Sequence, residues 1–422
     1  MADSRRTRLH ADVAVIGGGV IGLGIAHEAR RLGRSVALID PVPASGASFA
    51  AAGMLAPVSE LHYQEKDLLE LMLESSQLWP SFVDGLHQGA EDNGYRTTPT
   101  LAVGADAADR RALADLRSVQ LAAGLEVEPI ALRDARQREP LLSPQISCAF
   151  DIPADHQVDP RRLAACLLAG LTAHSPNDSS WVSGADDGFA IASRARGLLW
   201  EGGRVTGVAL DSGVTVHAGE TVVANGLGAS QLSGLPEGLR LPVRPVYGDI
   251  LRLRVPDHLR PLVTSTIRGM VRGVPVYIVP RDDGTVVIGA TQREDGLSAS
   301  SNAVSAGGVY QLLRDAQVLV PAVAELELLE ATARARPGTP DNAPLLGRVG
   351  VSKGDIDGLV IATGFFRHGV LLTPVAAKIV GELLKGSSDS RWAPFLPHRF
   401  AGNAPVARAL TPAARTTTKE TA

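Results

Sequence analysis

The chain has 422 residues, more than one ordinary hydrophobic core accommodates, so two domains are expected. A net charge of −4, a pI near 6.2 and an aromatic content of 4% exclude a basic nucleic-acid surface, an anionic-membrane surface and a base-stacking platform. Cys148 and Cys166 form no CxxC pair, and the ten histidines are scattered, so no metal site is expected. So few cysteines fit a reduced cytoplasmic setting. The polar start of the chain lacks the apolar core of a signal peptide, and Val13 to Ala26 is too short and too glycine-rich to span a bilayer.

The first elements form one mechanical unit. Asp12 to Ile16 is an apolar, β-branched run that reads as a buried strand. The turn Gly17-Gly-Gly-Val-Ile-Gly22 follows, then a helix to Leu32 with Gly33 as its stop. A second strand, Val36 to Ile39, ends on Asp40. In this pattern Gly17 permits the tight turn, Gly19 admits a pyrophosphate to the backbone, and Gly22 lets the helix pack on the strand. The helix N-terminus offers free amides and a positive dipole end to the phosphates, and Asp40 is placed to accept from a ribose diol. A Rossmann-type dinucleotide site is expected.

A loop of small residues, Pro41 to Ser48, leads into Phe49-Ala-Ala-Ala-Gly-Met-Leu55, where small residues in series allow close approach to a flat ligand or to another backbone. Helical spacing continues over 63–90, a strand over Tyr95 to Val103, and helices over Ala107 to Ala123 and Leu132 to Pro140. Asp159 and Pro160 are a fitting N-cap and first residue for another helix. Hairpin signals run from Phe189 to Val216, and Thr221 to Gly226 reads as a buried strand entering a second glycine turn. Alternating strands follow at Ile250–Val255, Val276–Val279 and Val286–Ile288, then a helix over 303–319. Gly358 to Gly364 is a glycine-bounded buried strand, with a last helix over Val370 to Leu384 and a disordered tail after Phe400.

Four segments carry a resemblance. They are Ala50-Ala-Ala-Gly-Met-Leu55, Tyr277 to Thr291 (YIVPRDDGTVVIGAT), Arg336 to Gly347 (RPGTPDNAPLLG) and Ala362 to Leu372 (ATGFFRHGVLL). In this order they resemble the D-amino acid oxidase superfamily, and within it most closely the glycine oxidases of thiamine thiazole biosynthesis. The resemblance implies an α/β fold, α+β overall. A Rossmann-type FAD-binding domain (1–90, 150–240 and 335–400) joins a second, mostly antiparallel β-sheet substrate domain (91–149 and 241–334), with a disordered tail at 401–422.

It also implies a site. FAD, bound without a covalent link because no cysteine lies near Arg336 or Arg367, would be held by Val20, Ile21 and the Gly17–Gly22 turn at the pyrophosphate, and by Asp40, Ala47, Ser48, Ala52, Gly53 and Met54. Val182 would contact the adenine side. Gly364, Phe365, Phe366, Arg367, His368, Gly369, Val370 and Leu371 would wrap the isoalloxazine. Gly364 and Gly369 are expected to flank the N-terminus of the last helix, whose dipole favours reduced flavin. Arg336 would take the substrate carboxylate in a bidentate fork, Tyr277 would add a hydrogen bond, Arg367 would stand beside flavin and substrate, and Met54 would form the pocket wall. Tyr247 is expected to pack in the core.

The implied reaction is oxidation of glycine, sarcosine or a small D-amino acid to the imine by hydride transfer to flavin, with oxygen as acceptor. For glycine this yields glyoxylate, ammonia and hydrogen peroxide. No histidine–carboxylate pair stands out in the motifs to serve as a base. A homo-oligomer is expected, with thiazole synthase as a candidate recipient of the product. Pro275 and Gln292 depart from the histidine and methionine expected of the family's pocket lining. That departure keeps open a D-amino acid or sarcosine oxidase, or a quinone-linked dehydrogenase. A flavin domain of tRNA modification is the alternative from another class, disfavoured by the acidic charge.

Overall fold

The computed structural model describes residues 8–63, 65–86, 92–172, 189–294, 302–351 and 354–401. Val182 and 402–422 lie outside the described residues.

The nucleotide unit forms as its sequence pattern demands: β1 (Arg8–Ile16), α1 (Val20–Arg31) and β2 (Val36–Ile39). β1 and β2 pair in parallel, as do β1 with the Thr215–Val223 strand and that strand with Gly354–Thr363. Ala190–Ile191 adds a short parallel edge beyond β2, while Leu345–Val351 closes the other edge antiparallel. The hairpin of Ala195–Glu201 and Arg204–Leu210 branches from the Thr215–Val223 strand. Side-chain alternation along β1 sorts the core into two layers. Val13 and Val15 meet the helices α1, Lys66–Asp84, Pro160–Thr172 and Thr373–Leu384, whereas Ala14 and Ile16 meet the layer containing Val205, Val208 and Val216.

The second sheet orders its strands as Glu327–Gly338, Arg244–Arg254, Thr285–Gly289, Val274–Pro280, Thr266–Val271, Thr100–Gly104, Cys148–Ile152 and Glu128–Ile130. All its pairings are antiparallel except Thr266–Val271 with Thr100–Gly104. The helix Ala306–Leu319 covers it through Leu312, Ala316 and Leu319. Two of its strands run across the expected domain boundaries: Cys148–Ile152 across 149/150, and Glu327–Gly338 across 334/335.

Several element bounds differ from expectation for local reasons. The strand expected from Tyr95 begins at Thr100, because Pro99 has no N–H for a ladder; before it, Arg96 makes only a single bridge to Gln157. The helix at Leu132 ends at Arg138, as Pro140 restricts the residue before it. The segments Val214–Val216 and Thr221–Gly226 merge into one strand that ends at Val223. Asp159 caps its helix as expected, accepting from Arg161 N at 2.9 Å and Arg162 N at 3.3 Å. Among the described residues, no helix is long and apolar enough to cross a membrane. Nor does any group of three or more His, Cys, Asp or Glu stand where it could hold a metal.

Candidate active site

One cavity of about 540 Å³ lies between the two sheets and reaches from Gly17 to Arg336. At one end the Gly17–Gly22 turn enters α1. Gly17 has φ +109, and a Cβ there would lie 2.6 Å from the Ala224 carbonyl group, so only glycine fits. A Cβ on Gly22 would sit 1.9 Å from Gly17 O; this glycine serves helix packing and does not itself line the cavity. Gly17, Gly19, Val20, Ile21 and Asp40 do line it. Both Asp40 oxygens already accept backbone amides, from Gly18 at 2.7 Å and Val42 at 2.8 Å. Ser48 Oγ accepts from Val20 N at 3.0 Å and so occupies the first free amide of α1.

The run Ala47–Met54 forms the next stretch of wall, apart from Phe49. Facing it is the turn Gly364–Leu371, every residue of which lines the cavity. This turn is not the helix N-terminus expected from the glycine spacing. Residues 366–368 make one tight 3-10 turn, and the helix starts only at Thr373. Leu372 N bonds His368 O at 2.8 Å and Thr373 N bonds Val370 O at 3.2 Å, so these donors are spent inside the turn. Phe366 takes a left-handed φ of +48, an uncommon conformation for a bulky residue. The turn is pinned from behind: Ser75 Oγ and Trp79 Nε1 both donate to Leu371 O, at 2.6 and 2.9 Å.

The far end is built by the second sheet. Tyr277 faces Arg268 across one strand pair and Gly289 across the next, and its ring lies over Gly289. Arg336 pairs with Val246 at the edge, and its guanidinium folds over Gly248, where a Cβ would meet Nη1 and Nη2 at 2.5 Å. Among the described residues Arg336 makes no ion pair. Burial raises the Tyr277 phenol, against the opposing pull of the Arg336 charge, so it stands protonated as a donor. Pro275, Thr291 and Gln292 complete this wall, while Tyr247 does not line the cavity.

Arg367 differs from Arg336 in having two carboxylate partners. Its Nε lies 2.9 Å from Glu60 and its Nη2 2.8 Å from Glu65. Glu60 also pairs with Arg268, whose Nη1 lies 3.9 Å from Met54 Sδ. Glu60 thus ties the second sheet to the Gly364–Leu371 turn, with His62 and His368 beside it in the cavity wall. Burial pushes the Glu60 carboxyl up, but Arg268, His368 and Arg367 outweigh it and hold it down at about 2. Burial first, then Arg367, depress the His368 imidazole to about 3, and the same two causes lower His62.

This cluster is a departure from the sequence reading, which found no histidine–carboxylate pair. Glu60 and His62 lie outside the four motifs. The one available signal for Arg268 was a charge inside the otherwise apolar strand Thr266–Val271. Asn225 and Gly248 were also missed; both line the cavity.

The family model described as FAD dependent oxidoreductase (DAO) matches residues 12–383. The chain belongs to this family. It is 32% identical over 412 residues to the glycine oxidase of Geobacillus kaustophilus, covering 94% of this chain and 98% of that one. The crystal structure of glycine oxidase from Geobacillus kaustophilus superposes with a TM-score of 0.78 at 30% identity, covering 93% of this chain and 99% of that one. The bifunctional protein ThiO/ThiG of Trichormus variabilis is 30% identical over 391 residues, which cover 92% of this chain and 55% of that protein. The chain therefore spans about half the length of this bifunctional relative.

FAD is the cofactor of this family of oxidoreductases, and the cavity carries features that suit it. Glycines at 17–19 keep the turn itself free of side chains before α1, where the Ser48 hydroxyl approaches at Val20 N. Asn225 Oδ1 and His368 Nε2, both in residues lining the cavity, are buried without a hydrogen-bond partner among the described residues. Buried polar atoms of this kind call for a polar ligand.

Proposed function

We propose that this protein is an FAD-dependent oxidase of small amino acids, with glycine as its leading substrate. The observation that carries the reading is Arg336: a half-buried guanidinium with no carboxylate partner among the described residues, beside the protonated Tyr277 and facing the Gly364–Leu371 turn. A guanidinium without a carboxylate, next to a phenol donor, suits the carboxylate of a small substrate. The arginine fork binds it bidentately and the Tyr277 hydroxyl donates a further hydrogen bond.

The Gly17–Gly22 turn, Asp40 and Ser48 would hold the pyrophosphate and ribose of FAD, while Ala52, Gly53, Met54 and Phe365–Leu371 would hold the isoalloxazine. The bound flavin supplies the two-electron acceptor that takes a hydride from the substrate Cα. The protein residues then have to position rather than deprotonate. Glu60 is held ionised by two arginines, and His368 is neutral with a weakly basic ring, so neither is suited to act as a base near neutral pH. Substrate enters with a neutral amine, leaves as the imine, and water converts the glycine imine to glyoxylate and ammonia. Oxygen takes the two electrons and leaves as hydrogen peroxide.

The fused ThiO/ThiG relative supports a place for this imine in thiamine thiazole biosynthesis, with a thiazole synthase as recipient. Pro275 and Gln292 in the wall favour sarcosine or a small D-amino acid as a second reading. Oxygen uptake and peroxide yield across glycine, sarcosine and D-alanine test both. Highest kcat/KM on glycine with one peroxide per oxygen supports the first. Preference for either other amine selects the second, and turnover only with a quinone acceptor rejects oxidase chemistry.

A further inference from the structure

We propose that Arg161, Arg252 and Arg281 are positioning residues that set the flavin-facing peptide planes of the Phe49–Gly53 segment and so tune the electrophilicity of the flavin. The inference rests on membership of an FAD-dependent family, not on the choice of substrate. The three side chains come from separate elements: the helix Pro160–Thr172, the strand Arg244–Arg254, and the residue after Val274–Pro280. None lines the large cavity, yet all reach the back of the segment whose other side does.

Arg161 Nε donates to Phe49 O at 2.9 Å. Arg252 Nη2 donates to the same oxygen at 3.1 Å and lies 3.5 Å from Ala51 O. Arg281 Nη2 donates to Ala52 O, and its Nη1 to Gln157 Oε1 at 3.0 Å and Val158 O at 3.3 Å. The Arg161 guanidinium also lies 3.6 Å from the centre of the Phe49 ring.

In a planar trans peptide the C=O of one residue and the N–H of the next point in opposite directions. Arginines drawing back the carbonyls of Ala51 and Ala52 therefore turn the amides of Ala52 and Gly53 the other way. Neither amide has a hydrogen-bond partner among the described residues, although both residues are buried cavity-lining positions. A buried amide without an acceptor is costly, so an acceptor on the cavity side is expected. The carbonyl oxygens and ring nitrogens of an isoalloxazine are acceptors of that kind.

The clamp also carries charge. Glu330 holds Arg161 bidentately at 2.7 and 3.0 Å, and Asp159 lies 3.6 Å from Arg281 Nε. Three guanidinium groups stand behind the segment, with Glu330 and Asp159 against them and Asp283 also acting on Arg281. The Arg281 side chain is only 7% exposed, so its charge is weakly screened. Amide donors and nearby guanidinium charge both favour electron density on the ring.

The test reads sulfite affinity and midpoint potential of the FAD-loaded protein, without turnover. Sulfite adds to the flavin as a nucleophile, and its Kd reports how well the site bears the resulting negative charge. Arg252→Gln should weaken sulfite binding at least tenfold and lower the potential, and Arg252→Lys, which keeps the charge, should recover part of both. Arg281→Gln should act in the same direction. Glu330 accepts from Arg161 and from the Thr332 hydroxyl and does not line the cavity; Glu330→Gln removes a negative charge, so it should leave sulfite binding within twofold or tighten it. A merely structural clamp would move all the variants the same way. Arg252→Gln within twofold of wild type, or Glu330→Gln weakening sulfite as the arginine variants do, overturns the proposal. If Arg281→Gln does not fold, the Arg252 pair and Glu330→Gln decide.

Discussion

Gly248→Ala tests the proposed substrate site through a single methyl group. The residue lies inside the Arg244–Arg254 strand, without the left-handed φ that would make alanine strained. A Cβ there would stand 2.5 Å from Arg336 Nη1 and Nη2 and 2.7 Å from Cζ. These atoms are the far end of a flexible side chain, so the strand accepts the methyl and the guanidinium retreats by roughly 1 Å. Displacement of a substrate-holding group by that distance costs about a hundredfold in rate. Steady-state kinetics on the FAD-loaded variant should show kcat/KM down by roughly that factor, most of it in KM. Thermal midpoint and bound FAD should match wild type. A kcat/KM within threefold of wild type would refute the placement of substrate against Arg336.

Arg336→Ala removes the carboxylate partner outright. Loss of one member of a buried ion pair costs about 3–5 kcal/mol, and the half-exposed position argues for the lower figure, or about a hundredfold in kcat/KM. Glu60→Gln removes the carboxylate partner of Arg268 and leaves Arg367 with Glu65 alone, and it should lower stability by about 3 kcal/mol at neutral pH, measured by urea unfolding. Because the folded Glu60 carboxyl is depressed to about 2 from 4.5, its contribution is complete above pH 4.5 and disappears as pH falls towards 2, where wild type and variant should converge. Asp155 has the opposite sign. Its buried carboxylate accepts from Val58 N and Ser59 N at 2.9 Å each, and burial raises it from 3.8 to about 6. The folded state holds that proton more tightly, so stability relative to Asp155→Asn should fall as pH rises from about 4 to 6, by at most about 1.4 kcal/mol per unit. A flat difference across that range would contradict the raised value.

What was legible in the sequence was local. The Gly17–Gly22 turn, Asp40 and the Gly364–Leu371 run announce themselves because tight turns and close approaches demand particular residues at fixed spacing. The cavity end of the second sheet was half legible. Arg336 and Tyr277 lie in recognisable motifs, but Gly248, which makes room for the guanidinium, looks like any strand glycine until strand register is known. The Glu60–Arg268–Arg367 bridge could not be read at all. Its members are far apart in the chain, and only the fold brings them within hydrogen-bond reach. The last helix was placed three residues early because Gly369 suggests a helix start, whereas the tight turn before Thr373 and Pro374 near its first position decide it. Asp106 closes a full capping box with Asp109, a signal that was present in the sequence and overlooked.

The most direct measurement is the visible spectrum of the FAD-loaded protein under anaerobic titration with glycine. Bleaching of the oxidised flavin band, restored by air with release of hydrogen peroxide, is the expected result, and Arg336→Ala should require far more glycine for the same bleaching. A flavin band unmoved by glycine, sarcosine and D-alanine alike would contradict an amino-acid carboxylate at Arg336.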